Sequence, residues 1–141
     1  MASRVRRLHD KDFMRLLAFR DGLRRFERWS ADQSKQVGLT PAQHQLLLAI
    51  RGHGTSPPSI GEVADHLLLR HHSVVELVDR AVAAGLIERV HDEADHRVVR
   101  VELTQNGSER VEALGGAHLE ELSRLRTRFE SLWTDLPPPA G

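Results

Sequence analysis

The first third of the chain spaces its apolar residues as an α-helix does. Between residues 10 and 37 they recur every three to four positions among charged ones, which predicts one long amphipathic helix ending at Gly38. Thr40 followed by Pro41 is typical of a helix start, because threonine caps a helix and proline suits its first position. A second helix is therefore expected to begin there and to end near residues 52–54.

Two shorter helices are predicted after the loop at residues 55–58. Ser59 is expected to cap the first, over residues 59–68, and a tight connection leads to the second, over residues 71–84. Gly85 suits the position just beyond a helix, because glycine adopts the left-handed conformation without strain. Two helices joined in this way are typical of a helix-turn-helix unit, whose second helix enters the major groove of DNA.

Apolar and polar residues then alternate in two short segments, Leu86–His91 and Arg97–Leu103. Alternation with a period of two is typical of β-strands, and the polar stretch between the segments suits a turn. The turn ends in Asp95-His96-Arg97. The pattern predicts a two-stranded β-ribbon with a charged tip.

The last part of the chain returns to helical spacing. Thr104 is predicted to cap a helix that Gly115-Gly116 breaks or kinks, and a final helix follows. Its apolar residues, at spacings of three and four, form a seam typical of helix packing: Leu119, Leu122, Leu125, Phe129, Leu132 and Leu136. Residues 137–141 are expected to be a flexible tail. The predicted fold class is mainly α (α+β).

Composition narrows the function. With 141 residues and no cysteine, the chain has the length of one domain and cannot use disulfides, thiolate metal sites or a thiol sensor. No apolar run approaches the roughly 18 residues that span a membrane, and the basic start lacks the apolar part of a secretory signal, so we expect a cytoplasmic protein. Neither metal-ligand spacing among the histidines nor a catalytic motif is present, which predicts no metal, no cofactor and no enzyme.

Five motifs in order resemble the MarR family of bacterial transcription regulators. They are Leu39–His44, Ile60–Leu67, Ser73–Arg80 with Gly85–Arg89, Asp95-His96-Arg97, and Leu103–Gly107. The resemblance implies one winged helix-turn-helix domain over residues 1–141, with the DNA-binding lobe at 39–107 and N- and C-terminal dimerisation helices at 8–37 and 105–136. It also implies a homodimer on a pseudo-palindromic operator, released by a small ligand, and we expect a repressor. The dimerisation residues would be Phe13, Leu16, Leu119, Leu122, Leu125, Phe129 and Leu132.

Within this resemblance, Arg97 is expected to enter a DNA minor groove, and Asp95 to hold the wing tip or orient that arginine. Other candidate contacts to double-stranded DNA lie at or near the recognition helix, and they are Ser56, Ser59, Arg70, His71, His72, Ser73, Val74 and Arg80. Val74 would touch a thymine methyl if it is exposed, and a core position is the alternative. Arg80 either contacts a phosphate or pairs with Asp79 or Glu76.

Two further questions stay open at this stage. The family's effector pocket lies between the dimerisation helices and the DNA-binding lobe, and Arg20, Arg24 and His44 are candidates to bind a small anionic aromatic effector there. The net charge is zero, and residues 51–100 hold 6 basic against 8 acidic side chains. A winged-helix protein-interaction module without sequence-specific DNA readout is therefore the second hypothesis. Histidine-based pH sensing is a separate one.

Overall fold

The computed structural model describes residues 7–141, and within them the chain forms five α-helices and one two-stranded antiparallel sheet. In order, they are α1 (Asp10–Gln36), α2 (Pro41–Gly52), α3 (Ile60–Leu67), α4 (His71–Ala83), β1 (Ile87–His91), β2 (Val99–Leu103) and α5 (Gln105–Glu130). A 3-10 turn at Ser131–Trp133 follows α5. The mainly helical class is confirmed, with α3 and α4 as the helix-turn-helix and β1–β2 as the wing. Residues 1–6 of the predicted domain lie outside the described part.

Local chemistry sets the starts of α2 and α3. The hydroxyl of Thr40 accepts the backbone N–H of Gln43 at 3.1 Å, and the Gln43 side chain accepts the Thr40 N–H at 3.0 Å. Ser59 and Glu62 make the same reciprocal pair at 3.2 and 3.1 Å. Each capping box satisfies two backbone donors that the helix itself leaves without partners. Both predicted caps are confirmed.

The chain divides into two compact units. The terminal-helix unit comprises the residues up to Ser30 together with His118–Gly141, and the wing unit is Ala31–Ala117. The lobe predicted over residues 39–107 lies inside the wing unit, which extends beyond it at both ends. The single domain over residues 1–141 remains a prediction.

The wing unit closes around a continuous apolar core. Its buried members come from α2, α3, α4, both strands, the start of α5 and the residues just before α2 and β1, and they are Leu39, Leu46, Leu47, Ile50, Ile60, Val63, Ala64, Val74, Val78, Ala81, Leu86, Ile87, Val101, Val111 and Leu114. Burying a Val, Leu or Ile side chain stabilises a fold by about 1.5–3 kcal/mol. The core therefore fixes α4 and the wing in one arrangement.

Gly107 allows the start of α5 to approach the start of the wing. A Cβ at this position would lie 2.0 Å from the carbonyl oxygen of Leu86. Thr104 completes the junction, because its hydroxyl donates to the Gly85 carbonyl at 2.6 Å and accepts the Gly107 N–H at 3.1 Å. Only glycine fits this close backbone approach.

The terminal-helix unit packs aromatic rings between α1 and the end of α5. Phe129 lies edge-on to Phe19 with the ring centroids 5.8 Å apart, and it covers Gly22, where a Cβ would lie 2.8 Å from the ring. Leu125 is buried in the same unit. Other large apolar side chains of the unit stay exposed, and among the described residues they are Leu8, Phe13, Met14, Leu16, Leu17, Leu119, Leu122, Trp133 and Leu136.

Three predicted boundaries are wrong. β2 begins at Val99, so Arg97 lies in the turn and not in the strand. α5 runs unbroken through Gly115-Gly116, so the predicted break does not occur. An interior glycine costs a helix only about 1 kcal/mol, which a long helix can accommodate. The helix then ends at Glu130, six residues before the predicted end. No helix within residues 7–141 has the length and apolar content needed to cross a bilayer.

Candidate nucleic-acid interface

The wing tip is a turn held by two aspartates. Asp92 accepts the backbone N–H groups of Ala94 at 3.1 Å and Asp95 at 2.9 Å. Backbone bonds between Asp92 and Val98, and between Val98 and Asp95, close the turn, each at 3.0 Å. Short aspartate side chains compete well for backbone donors, which is why they favour turns. The tip is thus an ordered loop with hydrogen bonds to most of its backbone N–H groups.

Arg97 projects from this tip in a fixed orientation. Its side chain is 91% exposed. Asp95 accepts the Arg97 backbone N–H at 3.0 Å and also its side-chain Nε at 3.1 Å and Nη2 at 3.2 Å. The side-chain hydrogen bond from Arg97 lowers the pKa of Asp95, so the carboxylate stays charged. A two-pronged contact of this kind between a guanidinium and a carboxylate aligns the guanidinium without covering it. Asp95 is therefore placed to orient Arg97, as the sequence predicts.

The exposed start of α4 carries four of the predicted contacts. Arg70 caps the helix without a side-chain cap bond, His71 and His72 are exposed, and Ser73 is partly exposed. Val74 has no exposed surface and belongs to the core of the wing unit. The predicted thymine contact of Val74 is therefore wrong, because the apolar face of α4 turns this side chain inward. We remove Val74 from the interface.

Arg80 is exposed on α4 with none of its predicted ion pairs. Asp79 pairs instead with Arg89 of β1. Within residues 7–141 no salt bridge joins Arg80 to Asp79 or Glu76. A phosphate contact by Arg80 remains a prediction.

A cleft of about 340 Å³ lies between α4 and the wing and brings three predicted residues together. Ser59, His71 and Arg97 line it, together with Arg89 and the apolar residues Ile60, Val75, Val98 and Val99. Ser59 uses its oxygen to cap α3, but its hydroxyl proton can still donate. Ser56 lies apart from this cleft, in the exposed loop before α3, where it lines a second cleft with Arg51 and Thr55.

The three candidate pocket residues differ in their surroundings. His44 is 3% exposed, and its Nδ1 lies 3.3 Å from the Ser34 hydroxyl inside the wing unit. On α1, Arg20 is exposed and Arg24 pairs with Asp21 at 3.4 Å. The burial of His44 and its contact with Ser34 indicate a structural role for this histidine. The effector pocket stays a prediction.

Sequence reasoning missed Arg100, which is the most connected side chain of the wing. Its Nε donates to Asp92 at 2.8 Å, and its Nη1 donates to the Pro57 carbonyl at 3.0 Å and to Glu62 at 3.2 Å. The hydrogen bond to Asp92 raises the pKa of Arg100, and in return Arg100 lowers the pKa of Asp92. The sequence held no signal for this role, because an arginine between Val99 and Val101 is the ordinary polar position of an alternating strand.

Glu62 joins this cluster to a histidine pair. The Ser59 backbone N–H is the main cause of the lowered pKa of Glu62, and the carboxylate also lies 2.8 Å from His53 Nε2. His53 Nδ1 lies 2.9 Å from His66 Nε2. Since Glu62 accepts the His53 Nε2 proton, a neutral His53 must accept at Nδ1, so His66 donates from Nε2. Histidine-based pH sensing stays a prediction.

Comparison with known proteins shows a similarity to one family over part of the chain. Residues 37–98 match the sequence model described as MarR family. The chain is 30% identical over 81 residues to the HTH-type transcriptional repressor MdtR of Bacillus subtilis (strain 168), a match that covers 57% of this chain and 51% of MdtR. The chain therefore spans about half the length of this relative.

Two solved structures share the fold. A crystal structure of a MarR family transcription regulator has a TM-score of 0.74 at 21% identity, covering 87% of this chain and 80% of that one. The S. aureus MepR–DNA complex has a TM-score of 0.69 at 22% identity, covering 77% of this chain and 78% of that one. At these identities the similarity shows the fold alone.

Proposed function

We propose that the chain is a transcription regulator of the MarR family that binds double-stranded DNA in a sequence-specific way, because residues 37–98 match the sequence model of that family. It would place the start of α4 in a major groove and Arg97 of the wing in the neighbouring minor groove. The similarity to a protein solved on DNA and to a named repressor supports this function and favours repression. Such a regulator acts by binding without catalysis, and we assign it to the cytoplasm, where it meets the chromosome.

One observation carries the proposal. Arg97 is almost fully exposed and oriented by Asp95, and it shares one cleft with His71 at the start of α4. The other two arginines of the wing, Arg89 and Arg100, are neutralised by carboxylates of their own unit. Among the described residues, Arg70 and Arg80 have no salt bridge, and Arg97 keeps 91% of its side chain exposed although it pairs with Asp95. These three arginines are then the ones left for phosphates and bases.

A homodimer is part of the proposal. Leu119 and Leu122 are 67% and 61% exposed on α5, and Phe13 and Leu16 are more than half exposed on α1. Exposed large apolar groups within one unit favour a partner surface. Leu125 and Phe129 instead pack inside their own unit, so they would support the interface and not form its contact surface. A second copy would give two recognition helices for a pseudo-palindromic operator.

Release by a small ligand completes the proposal. The exposed guanidinium of Arg20 suits an anionic aromatic molecule, and Arg24 would have to leave Asp21 to join it. His44 would contribute less, because the Ser34 hydroxyl lies beside its ring inside the wing unit.

Selection of bound fragments from random-sequence double-stranded DNA tests the function. We expect a palindrome whose half-sites lie about one helical turn apart. On that duplex, Arg97→Ala should lower the affinity about tenfold with little change in melting temperature. Arg124→Ala removes the same charge from a helix position paired with Glu121, and should leave affinity unchanged. Selection without enrichment, or equal affinity of the Arg97→Ala variant, contradicts the proposal.

The protein-interaction module is the second candidate. Neutralisation of Arg89 and Arg100 by acidic neighbours favours it, since it leaves the wing with few free cations. Binding to DNA that does not weaken as salt rises, or no binding at all, is the outcome that selects it, because phosphate contacts release counterions.

A further inference from the structure

Arg100 connects the wing to the helix-turn-helix through three contacts at once. The Pro57 carbonyl and the Glu62 carboxylate belong to the loop before α3 and to its first turn, whereas Asp92 belongs to the wing tip. Its side chain is 28% exposed, and those of Asp92 and Glu62 are 23% and 42% exposed. One guanidinium thus joins two parts of the wing unit that are distant in sequence.

The acceptor on the helical side is itself fixed. One oxygen of Glu62 accepts from Arg100 and from the Ser59 backbone N–H, and the other lies 2.8 Å from His53 Nε2. A carboxylate with partners on both oxygens cannot rotate freely. Arg100 therefore binds to a rigid point on α3.

On the wing side, Asp92 passes this constraint to the tip. One oxygen of Asp92 binds Arg100, and the other accepts the N–H groups of Ala94 and Asp95. Asp95 in turn holds the guanidinium of Arg97. A continuous set of hydrogen bonds leads from α3 through Arg100 and Asp92 to Arg97.

Backbone contacts fix only the base of the wing. Arg100 itself forms a bridge with Ser59, and Val101 donates to the Pro58 carbonyl at 2.9 Å. The hydrogen bonds described for residues 92–98 of the tip join residues of the wing to one another. Their link to the helices is the contact of Asp92 with Arg100. The second side-chain tie, Arg89 to Asp79, joins β1 to α4 and does not touch the tip.

We propose that Arg100 is a positioning residue for DNA recognition: its clamp between Glu62 and Asp92 sets where Arg97 stands relative to α4. The inference rests on the proposed function, because Arg97 must contact DNA for its position to matter. Arg100 need not touch DNA itself. A lysine cannot replace it, since one ammonium cannot span the two carboxylates as the planar guanidinium does.

Amide hydrogen exchange on the DNA-free protein tests the clamp alone. In Arg100→Gln and in Arg100→Lys, the amides of Ala94, Asp95 and Arg97 should exchange several-fold faster, because local opening of the tip becomes easier. Arg89→Gln removes an arginine of the same ribbon that pairs with Asp79 of α4 and not with the tip, so it should leave these amides unchanged. Unchanged exchange in both Arg100 variants, or an equal effect of Arg89→Gln, overturns the clamp.

A double-mutant cycle on the selected DNA duplex tests the positioning. Arg97→Ala alone is expected to lower affinity about tenfold, but in the Arg100→Gln background it should cost less than about twofold, because a misplaced Arg97 contributes little. In the Arg89→Gln background the full loss should remain. Additive losses, or full affinity in Arg100→Lys, overturn the inference. If the wild-type chain selects no DNA, the proposed function is wrong, and so is a positioning role for Arg100 in DNA recognition. Amide hydrogen exchange would still test whether Arg100 holds the wing tip.

Discussion

The wing unit buries most of its large apolar side chains against one another, with Leu48, Leu68 and Leu69 as exposed exceptions, whereas the terminal-helix unit leaves many of its own in solvent. Leu46, Val63, Val74 and Val78 have no exposed surface in the wing unit. Leu119 and Leu122, on the part of α5 that belongs to the other unit, are 67% and 61% exposed. The difference indicates that one unit can be stable by itself and that the other requires further apolar contact.

The same contrast extends to charge. The carboxyl groups with a clearly lowered pKa, Glu62, Asp92 and Asp95, all lie in the wing unit, each beside a backbone or guanidinium donor. Ion pairs of the terminal-helix unit are exposed contacts along one helix, such as Arg126 with Glu130. Pairs of that kind contribute about 0–1 kcal/mol. Polar order, like the closed core, is concentrated around the candidate interface.

The largest expected effect comes from the same truncation made in both units. Leu46→Ala should lower the free energy of unfolding by roughly 2–5 kcal/mol, because it leaves a cavity in a closed core. Leu122→Ala should change that of the monomer by less than about 0.5 kcal/mol, since its side chain is already in water. Urea titration followed by circular dichroism measures both.

The concentration dependence sharpens this result. If Leu122 is covered by a second copy, the cost of Leu122→Ala should grow with protein concentration, while that of Leu46→Ala should not. If both variants lost the same free energy of unfolding at every protein concentration, the two leucines would be equally buried. The contrast between the units would then be wrong.

A charge on the exposed face of α5 tests what that face is for. Leu122→Arg should raise the dissociation constant of the homodimer at least about tenfold, because a buried unpaired guanidinium is costly. Leu48→Arg places the same charge at a leucine of α2 that is also half exposed, and should leave association unchanged. Sedimentation velocity over a concentration series separates them, and identical behaviour of the two variants contradicts the dimer.

Acid should weaken the wing unit first. A carboxyl whose pKa is lower in the folded chain stabilises the fold above its unfolded pKa, and this stabilisation is lost as the pH falls through the folded value. Glu62, Asp92 and Asp95 therefore predict a loss of stability below about pH 4. Asp92→Asn should flatten this dependence, because it removes the carboxyl that binds Arg100.

The chain offers a probe for each unit in this experiment. Trp29 and Trp133, its two tryptophans, lie in the terminal-helix unit, so their fluorescence follows that unit, whereas circular dichroism follows the helices of both. A dichroism transition that moves with acid while the fluorescence transition stays is the expected result. If the fluorescence transition moved at a higher pH than the dichroism transition, the terminal-helix unit would be the more acid-sensitive one, and the expected difference in charge between the units would be wrong.

Sequence predicted the features that depend on near neighbours. The caps at Thr40 and Ser59, the glycine after α4 and the alternation of the ribbon each need only residues within a few positions. The oriented Arg97 belongs to the same class, since its partner Asp95 lies two residues away. These are local hydrogen bonds and local backbone preferences, which a linear pattern encodes directly.

Features set by distant partners were missed. Arg100 meets Asp92 and Glu62 across 8 and 38 positions, and no spacing rule joins them. Val74 lies one residue from the exposed Ser73, so only the packing of α4 on the core decides that it points inward. The predicted break at Gly115-Gly116 failed for a different reason, because an interior glycine costs a helix only about 1 kcal/mol.

The smallest expected effect tests that last point, at the border between the two units. Gly116 lies within α5, next to the residue where the wing unit ends, and a Cβ there would meet no atom within 4 Å. Gly116→Ala should therefore stabilise the chain by about 0.5–1 kcal/mol, because alanine loses less conformational freedom than glycine in a helix. Gly107→Ala is the matched control, and it should destabilise strongly, since its Cβ would overlap the Leu86 carbonyl. Urea midpoints of the two variants measure the difference. A loss of stability in Gly116→Ala would mean that α5 is interrupted between the units, and the continuous helix would have to be replaced by the predicted break.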